Sequence, residues 1–193
     1  MYFCAICKSP ATISLCPRCL GGLLHHREPV RRDEEDFRVH ALLSWRDSGP
    51  RAVPWLVRSL KGRDQGEDWK PVALLMLQTF GFPQAKAIVP IPSPHSLGLG
   101  RALSHWTGLP LLDDLLPAIK GSAQKLRSRR ERQQVQFVRR NLCTKYTSVL
   151  LCDDVITTGA TARAAFRALG QPRVSAAWCL ADRRPCGAVR PLL

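Results

Sequence analysis

The sequence predicts an α/β protein in which a parallel sheet carries helices on both faces, preceded by a small cysteine-rich module. Three observations carry that expectation. From residue 37 onward, apolar runs with strand character alternate with segments of helical periodicity, the pattern of a parallel sheet wound on both sides. One run, 149–156, delivers two adjacent carboxylates into a loop of small and hydroxylated residues, and ligands of such sheets collect at the carboxyl ends of the strands. At the other end of the chain, Cys4, Cys7, Cys16 and Cys19 stand in a C-x-x-C, eight residues, C-x-x-C array.

The cysteine array defines a module over residues 1–30. Each pair presents two thiolates on a tight turn, and two such turns complete a tetrahedral zinc site with no open position, so the expected metal is structural. Pro10 and Pro17 suit these turns, and so small a segment has too little apolar content to fold without a staple. A disulfide framework is the alternative. Against it stand the absence of a basic-then-apolar export signal and the scattered spacing of Cys143, Cys152, Cys179 and Cys186. Cys152 and Cys179 fall in apolar runs and read as core residues, while His25 and His26 read as surface residues.

Residues 31–193 then form the main domain. The acidic run Asp33-Glu34-Glu35-Asp36 belongs to the connection, and 37–45 alternates enough for a strand or strand pair. Pro54 opens a helix with Trp55, Leu56 and Leu60 at helical spacing; Lys61-Gly62-Arg63 breaks it and leaves two cations on a turn. Residues 71–80 predict a second helix with Pro71 at its start. Residues 87–92 are a buried strand ended by proline, so a ligand-facing loop begins near Ser93. A short helix over 100–107 closes at Gly108, 109–116 holds a strand and a turn, and 174–180 is a last strand after the helix 162–169.

Composition bounds the function. A chain of 193 residues with 45% hydrophobic content buries one good core. No apolar run approaches the roughly 20 residues that span a bilayer, so the expectation is no membrane insertion and a cytoplasmic location. The net charge of +14 is unevenly placed: Lys120, Lys125, Arg127, Arg129, Arg130, Arg132, Arg139, Arg140 and Lys145 face the single acid Glu131. Such a stripe suits single-stranded DNA, whose phosphates release counterions on neutralisation, with Phe137 and Tyr146 placed to stack on bases. It equally suits a solvated face, or a loop that meets only the pyrophosphate of a small ligand.

The segment 153–161 carries the chemistry. Asp153 and Asp154 can accept hydrogen bonds from vicinal sugar hydroxyls, while Thr157, Thr158 and Thr161, with the amides around Gly159, can wrap a phosphate. The helix that follows places this loop at a positive dipole end. A bare acidic turn is the plainer reading, but adjacent carboxylates repel, and three threonines in five positions favour neither helix nor core.

This stretch resembles the phosphoribosyl pyrophosphate (PRPP) loop of type I phosphoribosyltransferases. The resemblance implies that Asp153 and Asp154 are the catalytic pair that holds the ribose hydroxyls, with Val155 inside the motif, and that Thr157, Thr158, Gly159, Ala160 and Thr161 hold the 5'-phosphate. Joined to the four-cysteine module, to Leu60-Lys61-Gly62-Arg63 and to Val89-Pro90-Ile91-Pro92, the chain resembles the ComF family of competence and GntX-like DNA-utilisation proteins. That resemblance implies a type I phosphoribosyltransferase-like sheet, structural Zn2+, Mg2+ accompanying PRPP, and Lys61 and Arg63 as cations for the pyrophosphate. It implies an accessory role in DNA uptake during natural transformation, with single-stranded DNA, a competence helicase and recombination mediators as partners. An active Mg2+-dependent phosphoribosyltransferase of base or nucleotide salvage is the alternative. The chain departs from the family at 96–102, which lacks the Arg-Gly-Phe-Asn-Gln segment, and keeps only Gln124, Leu126, Arg132 and Phe137 of a downstream signature.

Overall fold

The strand predicted to carry the carboxylates sits inside a five-stranded sheet, between two parallel neighbours. The computed structural model describes residues 2–4, 7, 9–11, 16, 18–19, 29–34, 36–45, 52–60, 66–117, 136–140, 145–170 and 174–184. In chain order the elements are β1 (Tyr2–Phe3), β2 (Pro10–Ala11), β3 (Val30–Asp33), β4 (Arg38–Ser44), α1 (Ala52–Leu60), α2 (Gly66–Phe80), β5 (Ala87–Pro90), α3 (Pro94–Thr107), β6 (Leu115–Pro117), β7 (Phe137–Arg139), β8 (Val149–Ile156), α4 (Ala160–Leu169) and β9 (Val174–Asp182). The main sheet runs β3-β4-β9-β8-β5, parallel throughout except for the antiparallel β3–β4 hairpin. Leu111 makes a parallel bridge to Ile88 and so covers the outer edge of β5.

Because side chains alternate across a strand, β8 feeds two cores. Leu150 and Cys152 join Leu42, Ile88, Trp178 and Leu180 under α1, α2 and α3. Val149 and Leu151 join Val39, Val89, Ala177 and Cys179 under α4. Helices therefore lie on both faces, three on one and one on the other among the described residues.

Two helices begin more than a turn earlier than the sequence pattern indicates. The first of these, α2, starts at Gly66, which leaves Pro71 inside it. Glu67 and Asp68 in its first turn favour the positive end of the helix dipole, and Lys70 pairs with Glu67 at 2.6 Å. For α3 the start is Pro94, with Ser93 as N-cap: its hydroxyl accepts from the Ser96 amide at 3.0 Å. Gly100, the expected first residue, lies in the middle of this helix. A Cβ at this position would lie 2.8 Å from Leu111 Cδ1 and 3.3 Å from Cys152 Sγ, so the glycine lets α3 approach the sheet closely.

Of the acidic run, Asp33 ends β3 and Glu34 enters the turn of the β3–β4 hairpin, closed by Glu34 N–H donating to the Phe37 carbonyl at 2.9 Å. Within this hairpin His40 lies edge-on to Phe80 and parallel to Trp178, with ring centroids 5.2 and 6.3 Å away. Burial first, then the charges of Arg31 and Arg38, lower its pKa from 6.5 to about 4. Unfolded chains thus take up a proton at this histidine that the native state refuses, and stability present above pH 6.5 is lost as pH falls towards 4. Solvent screening of this partly exposed ring limits the loss to about 1 kcal/mol. In His40→Leu the melting temperature is expected to fall less steeply than in wild type over that interval, as thermal melts across the pH range would record.

Candidate ligand site at the carboxyl edge of the sheet

The carboxyl end of β8 brings the predicted acids and the predicted loop together. Asp153 is buried, and its Oδ1 accepts from the Ser96 hydroxyl and the Asp154 amide, both at 2.9 Å. Ser93 and Ser96 hydroxyls lie 2.7 Å apart. Since Ser96 spends its proton on Asp153, Ser93 is the donor to Ser96, and a chain of hydroxyls runs from the α3 cap to the carboxylate. Desolvation first, then the negative charge of Asp154 and a hydrogen bond with it, raise the Asp153 carboxyl well above its usual range. Asp154 is half-buried, and Val155 packs against the core beneath α1–α3, so Val155 contributes backbone rather than a ligand group.

Beyond Ile156 the chain turns into the loop. Thr157 and Thr158 are exposed, Ala160 and Thr161 half-buried, and Gly159 is the N-cap of α4 in a left-handed conformation, φ 74°. Being glycine, it offers no side-chain acceptor to the first turn; Thr158 Oγ1 accepts from the Ala160 amide at 3.3 Å. The loop thus sits at a helix start that gathers backbone donors, in reach of the same strand end that holds the acids.

Sequence reasoning missed what lies behind the loop. Arg163 of α4 donates through Nη1 to Glu34 Oε2 at 3.1 Å and through Nη2 to the Thr158 carbonyl at 3.0 Å. Arg184, just past β9, donates to Glu34 Oε1 through Nη1 and to Asp182 through Nε and Nη2, the latter at 2.9 Å. Arg32 pairs with Asp182 at 2.9 Å. Ser96, too, was unread, because a lone serine in a glycine-rich segment gives no signal of a partner 57 residues away.

The predicted basic groups fare differently. Lys61, Arg63, Lys120, Lys125, Arg127, Arg129, Arg130 and Arg132 lie outside the described residues, as do Cys143, Cys186, His25 and His26. The Arg139 side chain is only 19% exposed; it pairs with the fully buried Asp114 at 3.5 Å and donates to the Leu169 carbonyl at 3.1 Å. It ties the β6–β7 ribbon to the end of α4. Arg140 pairs with Asp113 at 3.2 Å, and Phe137 and Tyr146 pack half-buried against the core under α4.

In the N-terminal module the sulfurs of Cys4, Cys7, Cys16 and Cys19 all lie within 4.8 Å of one another, close enough to hold one metal ion. The β1–β2 hairpin and a Cys4 N–H bond to the Ser9 carbonyl, 2.8 Å, shape the first turn. Cys7 and Cys16 sulfurs are 3.6 Å apart. That is far beyond a disulfide bond of about 2.05 Å and near the roughly 3.8 Å edge of a tetrahedron with metal–sulfur bonds of about 2.3 Å. Hydrogen bonding with the Ser9 side chain and backbone lowers the Cys7 thiol to about 6, whereas desolvation and the neighbouring thiols push Cys19 up to about 12. Burial raises the Cys152 and Cys179 thiols, which keeps both as inert core residues.

No helix among the described residues is long and apolar enough to cross a membrane. No protein-family model matches the chain, and no curated protein matches it in sequence.

Proposed function

We propose that the protein binds a 5-phosphoribosyl ligand, PRPP or a close relative, as the ligand site of a ComF-like accessory protein that handles single-stranded DNA during uptake. One observation carries this reading: a strand end presents Asp153 and Asp154 immediately before a loop that wraps the glycine-capped start of α4. A carboxylate pair that repels itself is relieved by donors, and the vicinal hydroxyls of a pentose are two adjacent donors. The sugar's 5'-phosphate then meets the amides and hydroxyls of 157–161. Mg2+, a hard cation that prefers carboxylate and phosphate oxygens, would supply charge neutralisation beside Asp153 or Asp154 when PRPP is bound. The four sulfurs suit Zn2+ in a closed, structural role.

Support for the DNA half is electrostatic, from the +14 charge and the cationic run 120–140. Its chemistry is separable from the pocket. Thermal shift with PRPP and Mg2+ is expected to raise the melting temperature, by about 2.7 kcal/mol of stabilisation at a hundredfold excess over Kd, and the Asp153→Ala/Asp154→Ala double variant should lose that shift. Anisotropy of a labelled oligothymidylate should show binding that weakens steeply with salt in both proteins. If the oligonucleotide does not bind at low salt, the DNA assignment fails. Steady pyrophosphate release with any base in a panel would instead make the protein an active phosphoribosyltransferase.

A further inference from the structure

We infer that Glu34, Arg163 and Arg184 form a clamp that presets the 157–161 loop for a phosphomonoester, tying the ligand site to the turn of the β3–β4 hairpin. The inference deepens the ribose-phosphate reading and rests on it. Its basis is the space behind Gly159. A Cβ added there would lie 2.7 Å from Arg163 Nη1 and 3.1 Å from Arg184 Nη1, so two guanidinium groups are packed directly against the turn. Both are held by a single carboxylate: Glu34 takes Arg163 on Oε2 at 3.1 Å and Arg184 on Oε1. Arg184 is further fixed by Asp182, which accepts its Nε at 3.0 Å and its backbone amide at 2.9 Å. Hairpin turn, end of β9 and start of α4 are thereby locked together across 129 and 150 residues of sequence.

What the clamp does follows from the planarity of the peptide bond. Arg163 Nη2 holds the Thr158 carbonyl at 3.0 Å on the guanidinium side. In a trans peptide the N–H points opposite to the C=O, so the Gly159 amide is turned towards the open side of the loop, where an anion approaches. The left-handed Gly159, φ 74°, turns the chain into α4, where Thr158 Oγ1 holds the Ala160 amide at 3.3 Å. Electrostatics add to this: among the described residues of the clamp, Arg32, Arg163 and Arg184 outnumber Glu34 and Asp182 by one, a surplus that partly offsets the Asp153 and Asp154 carboxylates at the same strand end. A dianionic phosphate gains from that surplus and a neutral sugar does not. The three residues are positioning residues: they act on the loop rather than on the ligand.

Arg163→Lys separates geometry from charge, because an ammonium keeps the cation but cannot reach Glu34 and the Thr158 carbonyl together as a planar fork. Two readouts are needed, hydrogen exchange of amides 159–161 without ligand and the Kd of ribose 5-phosphate by calorimetry. The clamp predicts faster exchange and an affinity loss of about tenfold in Arg163→Lys, equal to that in Arg163→Gln, with Glu34→Ala moving both in the same direction. Restoration of wild-type exchange and affinity by lysine would overturn it and leave charge alone as the role of Arg163. Should ribose 5-phosphate fail to bind wild type, the ligand reading falls, while the exchange measurement still decides whether the loop is clamped. If Glu34→Ala does not fold, the two Arg163 variants carry the test.

Discussion

Asp153→Asn is expected to make the protein more stable at neutral pH and to weaken its grip on a ribose phosphate at the same time. The carboxyl is buried and lies beside a second acid, and both effects raise its pKa, desolvation more than the Asp154 charge. With the folded-state pKa above the unfolded value, the native state retains a proton that the unfolded chain releases, so stability declines as pH climbs from the unfolded carboxylate range towards neutrality. Asparagine removes that cost. Its carbonyl can still accept from the Ser96 hydroxyl and the Asp154 amide, and its NH2 can donate to the Asp154 carboxylate where like charges met before. A gain of about 1–2 kcal/mol, or roughly 3–6 °C, is the scale for relieving such a functional strain. The same NH2 faces sugar hydroxyls with a donor where they need an acceptor, and losing a charge-assisted bond of about 1.5–3 kcal/mol lowers affinity about 10- to 100-fold. Calorimetric melts at pH 7 and pH 4, with a ribose 5-phosphate titration, check both halves. The stability gain should vanish at pH 4, and a variant less stable than wild type at pH 7 would show that Asp153 is a structural carboxylate.

How much of this could be read in the chain follows from where the signals lie. The run Val149–Ile156 and its neighbours Ala87–Pro90 and Val174–Asp182 were legible because continuous apolar strands between turn residues have no competing interpretation in a wound sheet. The start of α3 was not, since 93–99 follows a proline-ended strand and reads as a ligand-facing loop, and only the fold reveals that Gly100 is pressed against Leu111 and Cys152. Glu34 looked like one acid of a solvated connection; its value comes from two arginines far away in sequence. Arg139 looked like one cation of a stripe. Its burial depends on Asp114, a carboxylate whose zero exposure no local pattern announces. Periodicity thus located the strand that carries the site, whereas the ion pairs behind the loop are tertiary facts that no window of sequence contains.

The largest stability effect is expected in the cysteine module, where Cys16→Ser should abolish stoichiometric zinc and unravel the β1–β2 hairpin. Two strands of two residues each cannot hold themselves together, and their ladder has only two residue pairs, Tyr2 with Ala11 and Phe3 with Pro10. Phe3 is 59% exposed, so apolar burial contributes little there. Among the described residues of the module what remains is the sulfur cluster, and structural zinc in peptides of this kind supplies about 10–16 kcal/mol of binding that is also folding free energy. Removing one of four thiolates leaves a weaker site and a position open to water, which forfeits most of that coupling. The sheet is different: Val149, Leu150, Leu151 and Cys152 of β8 are fully buried in cores that include none of Cys4, Cys7, Cys16 and Cys19. Zinc content by colorimetric assay, with hydrogen exchange resolved along the chain, therefore has a definite expectation. Wild type should carry one zinc per chain and protect amides near residues 2–11, whereas Cys16→Ser should lose both while strands β5, β8 and β9 keep their protection. An unchanged zinc content, or protection lost evenly from module and sheet, would show that these four sulfurs do not act as a self-contained metal staple.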